Sequence, residues 1–183
     1  VAVSTLFTVG HSTHSIEEFI ALLKGHGVEH LVDVRSIPKS RHCPQFNTEV
    51  LGPWLQRAGI GYTAIKGLGG RRYSRKGSIN TGWRNASFRG YADYMATEAF
   101  AAGLDELSAI AHKQRTTIMC AEAVPWRCHR SLIADAMVLR GWQVLEIVSA
   151  QPAKPHKLTS FLKVVDGRIT YPPEKTAQGE LAL

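Results

Sequence analysis

Five short strand-like runs alternate with stretches of helical apolar spacing, and that alternation constrains this chain more than any other feature. Leu6 to Val9 is a short apolar run ending at Gly10. Ser15 and Glu18 then form a capping box, ahead of the stripe Ile16, Phe19, Ile20 and Leu23. Leu31 to Arg35 is the second strand, and Thr48 to Ala58 a second helix with Val50, Leu51, Trp54 and Leu55 on one side. Ile60 to Ile65 is the third strand, followed by a long glycine- and arginine-rich loop over 66–86. A helical stretch from Tyr91 to about His112, broken near Gly103, leads to a fourth strand over Thr116 to Cys120. A last helix over Cys128 to Arg140 leads to a fifth strand over Gln143 to Val148. Strands alternating with helices predict one α/β domain: an open, mostly parallel five-stranded sheet, doubly wound and Rossmann-like, with helices on both faces. That domain covers 1–150. Residues 151–183 form an extension, with a small hairpin at about 161–171 around Asp166-Gly167 and a flexible tail.

Composition narrows the class. Apolar residues make up 44% of the chain and charged ones 20%, which excludes disorder throughout. No apolar run reaches the roughly 20 residues that span a bilayer, so no membrane partner is expected. Three cysteines make no disulfide framework, and no basic start precedes a signal-type apolar core; the expected location is the cytoplasm. The net charge of +7 is uneven. Residues 35–89 carry eleven basic residues against one acid, Glu49, for a local +10, while the rest of the chain is at −3. Tyr73, Trp83 and Phe88 are interspersed with these charges, a mixture suited to phosphate or to stacked bases.

In an open α/β sheet, ligands bind outside the carboxyl ends of the strands. Strand one ends in Gly10-His11-Ser12, strand two in Asp33-Val34-Arg35 and strand four in Cys120-Ala121-Glu122, and the last helix opens with Cys128-His129-Arg130. The candidate catalytic residues are Asp33 and Glu122 as acid or base, His11 and His129 as proton carriers, and Cys128 as a thiolate lowered by the helix dipole. The candidate anion-binding residues are Ser12, Arg35, Arg71, Arg72 and Arg130, with the helix start at Cys128 to Arg130. Asp33 with Arg35 also reads as a simple ion pair across the strand end, and Cys120 as a small buried hydrophobe.

Two familiar anion loops are excluded. A Cys-x5-Arg loop fails because six residues separate Cys120 from Arg127, and no Walker motif is present. Cys120, Cys128 and His129, with His42 or Cys43, make a four-ligand metal alternative whose spacing matches no common zinc pattern.

Thr8-Val9-Gly10-His11-Ser12, Val32-Asp33-Val34-Arg35, Pro44-Gln45-Phe46-Asn47, Leu68-Gly69-Gly70-Arg71 and Cys120-Ala121-Glu122 with Cys128-His129-Arg130 together resemble the bacterial family called domain of unknown function 488. The resemblance runs from about Thr8 to Val148 and implies a compact cytoplasmic α/β domain; it brings no established reaction, and Cys43 departs from its pattern. The expected function is therefore read from the residues: an enzyme of hydrolysis or group transfer on a phosphate-bearing small molecule, nucleotide or nucleic acid, with an N-glycosidic bond as one target. The alternatives are a non-catalytic nucleic-acid binder using 35–89, and a thiol or metal site at Cys120, Cys128 and His129. No cofactor is specified by the sequence.

Overall fold

The computed structural model describes residues 3–174. Its central sheet has the order β3-β2-β4-β1-β5-β6. The strands are β1 (Thr5–Gly10), β2 (His30–Asp33), β3 (Gly61–Ala64), β4 (Thr116–Cys120) and β5 (Gln143–Ile147), all parallel, with β6 (Lys154–Pro155) antiparallel on the β5 edge. The five expected strands are all present, and the sixth is a two-residue edge too short to show a pattern in sequence. The helices are α1 (Ile16–Gly25), α2 (Thr48–Arg57), α3 (Ala86–Tyr94), α4 (Glu98–Ala111) and α5 (Arg130–Leu139). The capping box forms as its residues dictate, with Glu18 N–H donating to Ser15 and Ser15 N–H to Glu18.

The two faces are filled by different helices. Phe7, Val9, Leu31 and Met119 pack with Phe19 and Leu23 of α1 and Leu51 and Leu55 of α2. Leu6, Val32, Ile118 and Val144 pack with Tyr91 of α3, Leu104 of α4 and Leu132 and Met137 of α5. Side chains alternate faces along each strand, so strands covered on both sides are buried along most of their length, with threonines such as Thr8 and Thr117 among the apolar residues. Burying each such Leu or Phe contributes about 1.5–3 kcal/mol. β2 and β4 are neighbours, yet the chain leaves β2 toward α2 and β3 on one face and leaves β4 toward α5 and β5 on the other, in opposite directions along the sheet. The connections diverge there and open a crevice at the carboxyl ends of the two strands.

The expected break at Gly103 is misplaced. The helical stretch divides instead at Met95–Thr97, where Thr97 caps α4 by accepting from Phe100 N–H. Gly103 lies inside α4 because a Cβ there would press on Leu68. It is a packing glycine rather than a breaker.

The hairpin forms as β7 (Lys163–Val165) and β8 (Arg168–Thr170), around Asp166 and Gly167, both at positive φ. The flexible tail expected beyond it falls largely on 175–183, outside the described residues. The extension is docked on one buried carboxylate. Asp135 of α5 is fully buried and accepts from His156 Nε2 at 2.8 Å, Thr159 N–H at 3.1 Å, Thr159 Oγ1 at 2.7 Å and Tyr171 Oη at 2.9 Å. His156 Nδ1 donates to Glu146 at 2.7 Å, so both ring nitrogens face carboxylates and the ring is an imidazolium. Burial opposes that charge, but Asp135 and Glu146 outweigh it and push the His156 pKa up to about 9. A raised folded-state pKa stabilises fully below the unfolded value of about 6.5 and is lost as pH rises through about 9. Urea denaturation between pH 6 and pH 10 is expected to show a loss of about 3 kcal/mol across that window, and His156→Gln to flatten the slope.

Candidate functional site

Each strand delivers a polar residue to the carboxyl edge because its apolar run ends there. The side chains that arrive divide into those that line a pocket and those that hold it. The pocket, of about 460 Å³, is lined by Arg35, Ser36, Lys39, Gly70, Arg71, Phe88, Cys120, Glu122, Arg127, Cys128 and His129, among others. It therefore gathers four cations around a cysteine–histidine floor, with one carboxylate, Glu122, on an exposed stretch of the loop.

The floor is built by the loop from β4 to α5. His129 Nε2 lies 2.7 Å from the Val34 carbonyl, which can only accept, so Nε2 carries the proton. In the neutral ring Nδ1 is then a bare lone pair. It faces Cys128 Sγ at 3.6 Å and Cys120 Sγ at 3.9 Å. A hydrogen bond from the Cys128 thiol pulls Cys120 well below the ordinary thiol range. Burial and that same hydrogen bond push Cys128 well above it. Thiolate character therefore falls on Cys120, not on Cys128 as the helix-dipole argument expects. Cys128 precedes α5 and is buried in the core beneath it, where desolvation outweighs the dipole.

Arg130, expected to hold an anion, does not line the pocket. It is completely buried, Nη1 donates to the Glu122 carbonyl, and Nη2 donates to the Ala123 carbonyl at 3.0 Å. The α5 start is also occupied, since Arg130 N–H points at Cys128 Sγ and Ser131 N–H at the Cys128 carbonyl. Asp33 is likewise no free acid or base. Its Oδ1 accepts from Arg35 N–H and Nε, and its Oδ2 from Arg35 Nη2 at 2.7 Å and Tyr62 Oη at 2.7 Å. The ion-pair reading of Asp33 and Arg35 is the one the structure adopts. Burial against that carboxylate pushes the Tyr62 pKa up to about 12. Arg35 also donates to the Phe46 carbonyl and turns Nη1 toward His11 Nε2 at 3.4 Å.

His11, Ser12 and Arg72 stand away from the pocket lining. His11 stacks on Phe46 at 4.2 Å and donates from Nδ1 to the Ser12 carbonyl, and burial lowers its pKa, so it is a neutral packing residue. Ser12 takes a positive φ at the turn after β1. Arg72 lies 3.6 Å over the Tyr94 ring and donates to the Gly69 carbonyl. Cys43 packs on the other face and donates to the Ser12 carbonyl, so neither it nor His42 joins Cys120, Cys128 and His129.

The glycine- and arginine-rich loop is tied down. Arg71 N–H donates to Ser36 Oγ at 2.7 Å, Tyr91 and Tyr94 donate to the Leu68 and Gly67 carbonyls, and Asp93 accepts from Arg75 N–H, Ser78 and Asn80. These contacts keep Arg71 at the pocket wall. Sequence reasoning missed Lys39 and Arg127 as pocket cations; Arg127 was legible only as a cation next to the Cys128-His129 pair. Gly10 is needed for a close approach, because a Cβ there would land on the Glu122 carbonyl and crowd Arg130. Gly10→Ala is expected to push the 121–127 loop outward and cost about 1–3 kcal/mol, read as a lower denaturation midpoint with an unchanged m-value.

Among the described residues, no helix is long and apolar enough to cross a membrane. No curated protein and no solved structure matches the chain. A family model does match, over residues 15–137, which takes in the pocket but begins after Gly10-His11-Ser12. By that match the chain belongs to the family described as Domain of unknown function DUF488.

Proposed function

We propose that the protein is an enzyme acting on a small phosphate-bearing substrate, by hydrolysis or group transfer, in the pocket over β2 and β4. One observation carries this reading: Arg35, Lys39, Arg71 and Arg127 line a single pocket whose floor is Cys120, Cys128 and His129. Four cations in one concave site outnumber the one carboxylate there, so an anion gains from entering. The volume, about 460 Å³, suits a mononucleotide-sized ligand. Arg71 is exposed and its guanidinium is free to grip two phosphate oxygens, whereas Arg35 is mostly spent on Asp33 and offers one edge. Glu122 is the carboxylate placed to move a proton, because Asp33 is held by four donors. That leaves the N-glycosidic variant with Glu122 as its only carboxylate.

A panel of phosphate esters and nucleotides tests this reading. Arg71→Ala is expected to raise KM about tenfold or more with a smaller change in kcat, and Glu122→Gln to lower kcat by about 100-fold. Failure of inorganic phosphate to shift the melting temperature, together with no turnover across the panel, would overturn it.

A nucleic-acid strand is the second reading, favoured by Tyr73 and Trp126, which are 95% and 69% exposed. Tyr73 stands beside exposed Arg71, Arg75 and Lys76. Affinity for single-stranded oligonucleotides is then expected to fall with salt by about 0.7 log units per phosphate contacted, for each tenfold rise in salt, and to weaken in Tyr73→Ala. A flat salt dependence rules this reading out.

A further inference from the structure

The geometry points to a zinc site formed by Cys120 Sγ, Cys128 Sγ and His129 Nδ1, with its fourth position open to the cationic pocket. The distances carry the argument. Zinc sits about 2.3 Å from sulfur and about 2.0–2.1 Å from nitrogen, so neighbouring S and N donors of a tetrahedron lie about 3.6 Å apart. Here Nδ1 is 3.6 Å from Cys128 Sγ and 3.9 Å from Cys120 Sγ, and all three donor atoms lie within 4.8 Å of one another. Side-chain adjustments of about an ångström or less close the triangle on a metal.

The surroundings fit as well. Metal-bound histidines commonly donate their other N–H to a carbonyl or carboxylate, and His129 Nε2 does so to Val34 O at 2.7 Å. That bond leaves Nδ1 as the lone pair facing the sulfurs. Arg130 N–H, at the start of α5, points at Cys128 Sγ at 3.5 Å and offsets thiolate charge. Two thiolates and one imidazole select a borderline-soft cation over magnesium or calcium and make a neutral unit with Zn²⁺. Among the described residues, no fourth Cys, His, Asp or Glu joins the group. Three protein ligands with an open position is the pattern of catalytic rather than structural zinc. On binding, both sulfurs are held as thiolates, with any remaining S–H proton passing to solvent, and Nδ1 gives up none. The inference rests on these side chains alone and not on the phosphate reading. If both hold, the metal faces the anion that Arg71 grips and can polarise it.

The test uses the full chain, reduced and stripped with a chelator, then titrated with Zn²⁺ without substrate. One equivalent is expected to bind, and bound zinc is expected to shield Cys120 and Cys128, but not Cys43, from alkylation. Cys128→Ser and His129→Gln are each expected to weaken zinc by about 100-fold or more, while Cys43→Ser retains it. The alkylation pattern of the unaltered chain decides the matter if those variants fold poorly. No stoichiometric uptake, equal uptake by Cys128→Ser, alkylation unchanged by zinc, or a preference for Fe²⁺ over Zn²⁺ overturns the assignment. Loss of phosphate binding in Arg71→Ala with zinc retained separates this result from the phosphate reading.

Discussion

The site depends on one buried guanidinium. Arg130 is completely buried and spends its Nη donors on the carbonyls of Glu122 and Ala123. Those carbonyls belong to the loop that joins β4 to α5. The same loop carries Glu122 and Arg127 to the pocket wall and leads to Cys128 and His129 at its floor. An irregular loop has no ladder of its own to satisfy its carbonyls, so a charged donor from the following helix does so. Gly10 makes room for that arrangement from the neighbouring strand. A residue that looks like a ligand-binding arginine thus acts as an internal brace.

Two further charged groups serve the same end. Asp33 gathers Arg35 and Tyr62 at the end of β2, and Asp135 gathers His156, Thr159 and Tyr171 over α5. Buried ion pairs contribute little net stability over apolar packing, yet breaking one costs about 3–5 kcal/mol. Their effect is directional. Asp33 fixes how Arg35 enters the pocket, and Asp135 fixes where the extension lies on the sheet. The cations left facing the pocket are then Lys39, Arg71, Arg127 and the free edge of Arg35.

Much of the fold was legible because its signals are local. Apolar runs of four to six residues, the Ser15–Glu18 box and the Asp166-Gly167 turn each specify their own element, and the strands fell within one or two residues of their places. The errors came where distant packing decides. Gly103 is a breaker by propensity, but its missing side chain admits Leu68. The Lys154–Pro155 edge strand exists only because β5 offers it an unpaired side.

The chain's own pattern determined that five parallel strands would bring Gly10-His11, Asp33-Arg35 and Cys120-Glu122 to one edge, since a run's end places its polar residue whatever its neighbours do. It also determined that the charge surplus would gather between 35 and 89. Only tertiary structure decided which of those residues face a ligand. Arg71 and Arg130 are the same side chain in sequence, and one is exposed at a pocket while the other is sealed beneath a loop. Cys120 and Cys128 are separated by seven residues with no recognisable ligand spacing, and the turn between β4 and α5 brings both sulfurs to one imidazole. A side chain's role is set by which donors and acceptors reach it first, and most of those arrive from other elements of the fold.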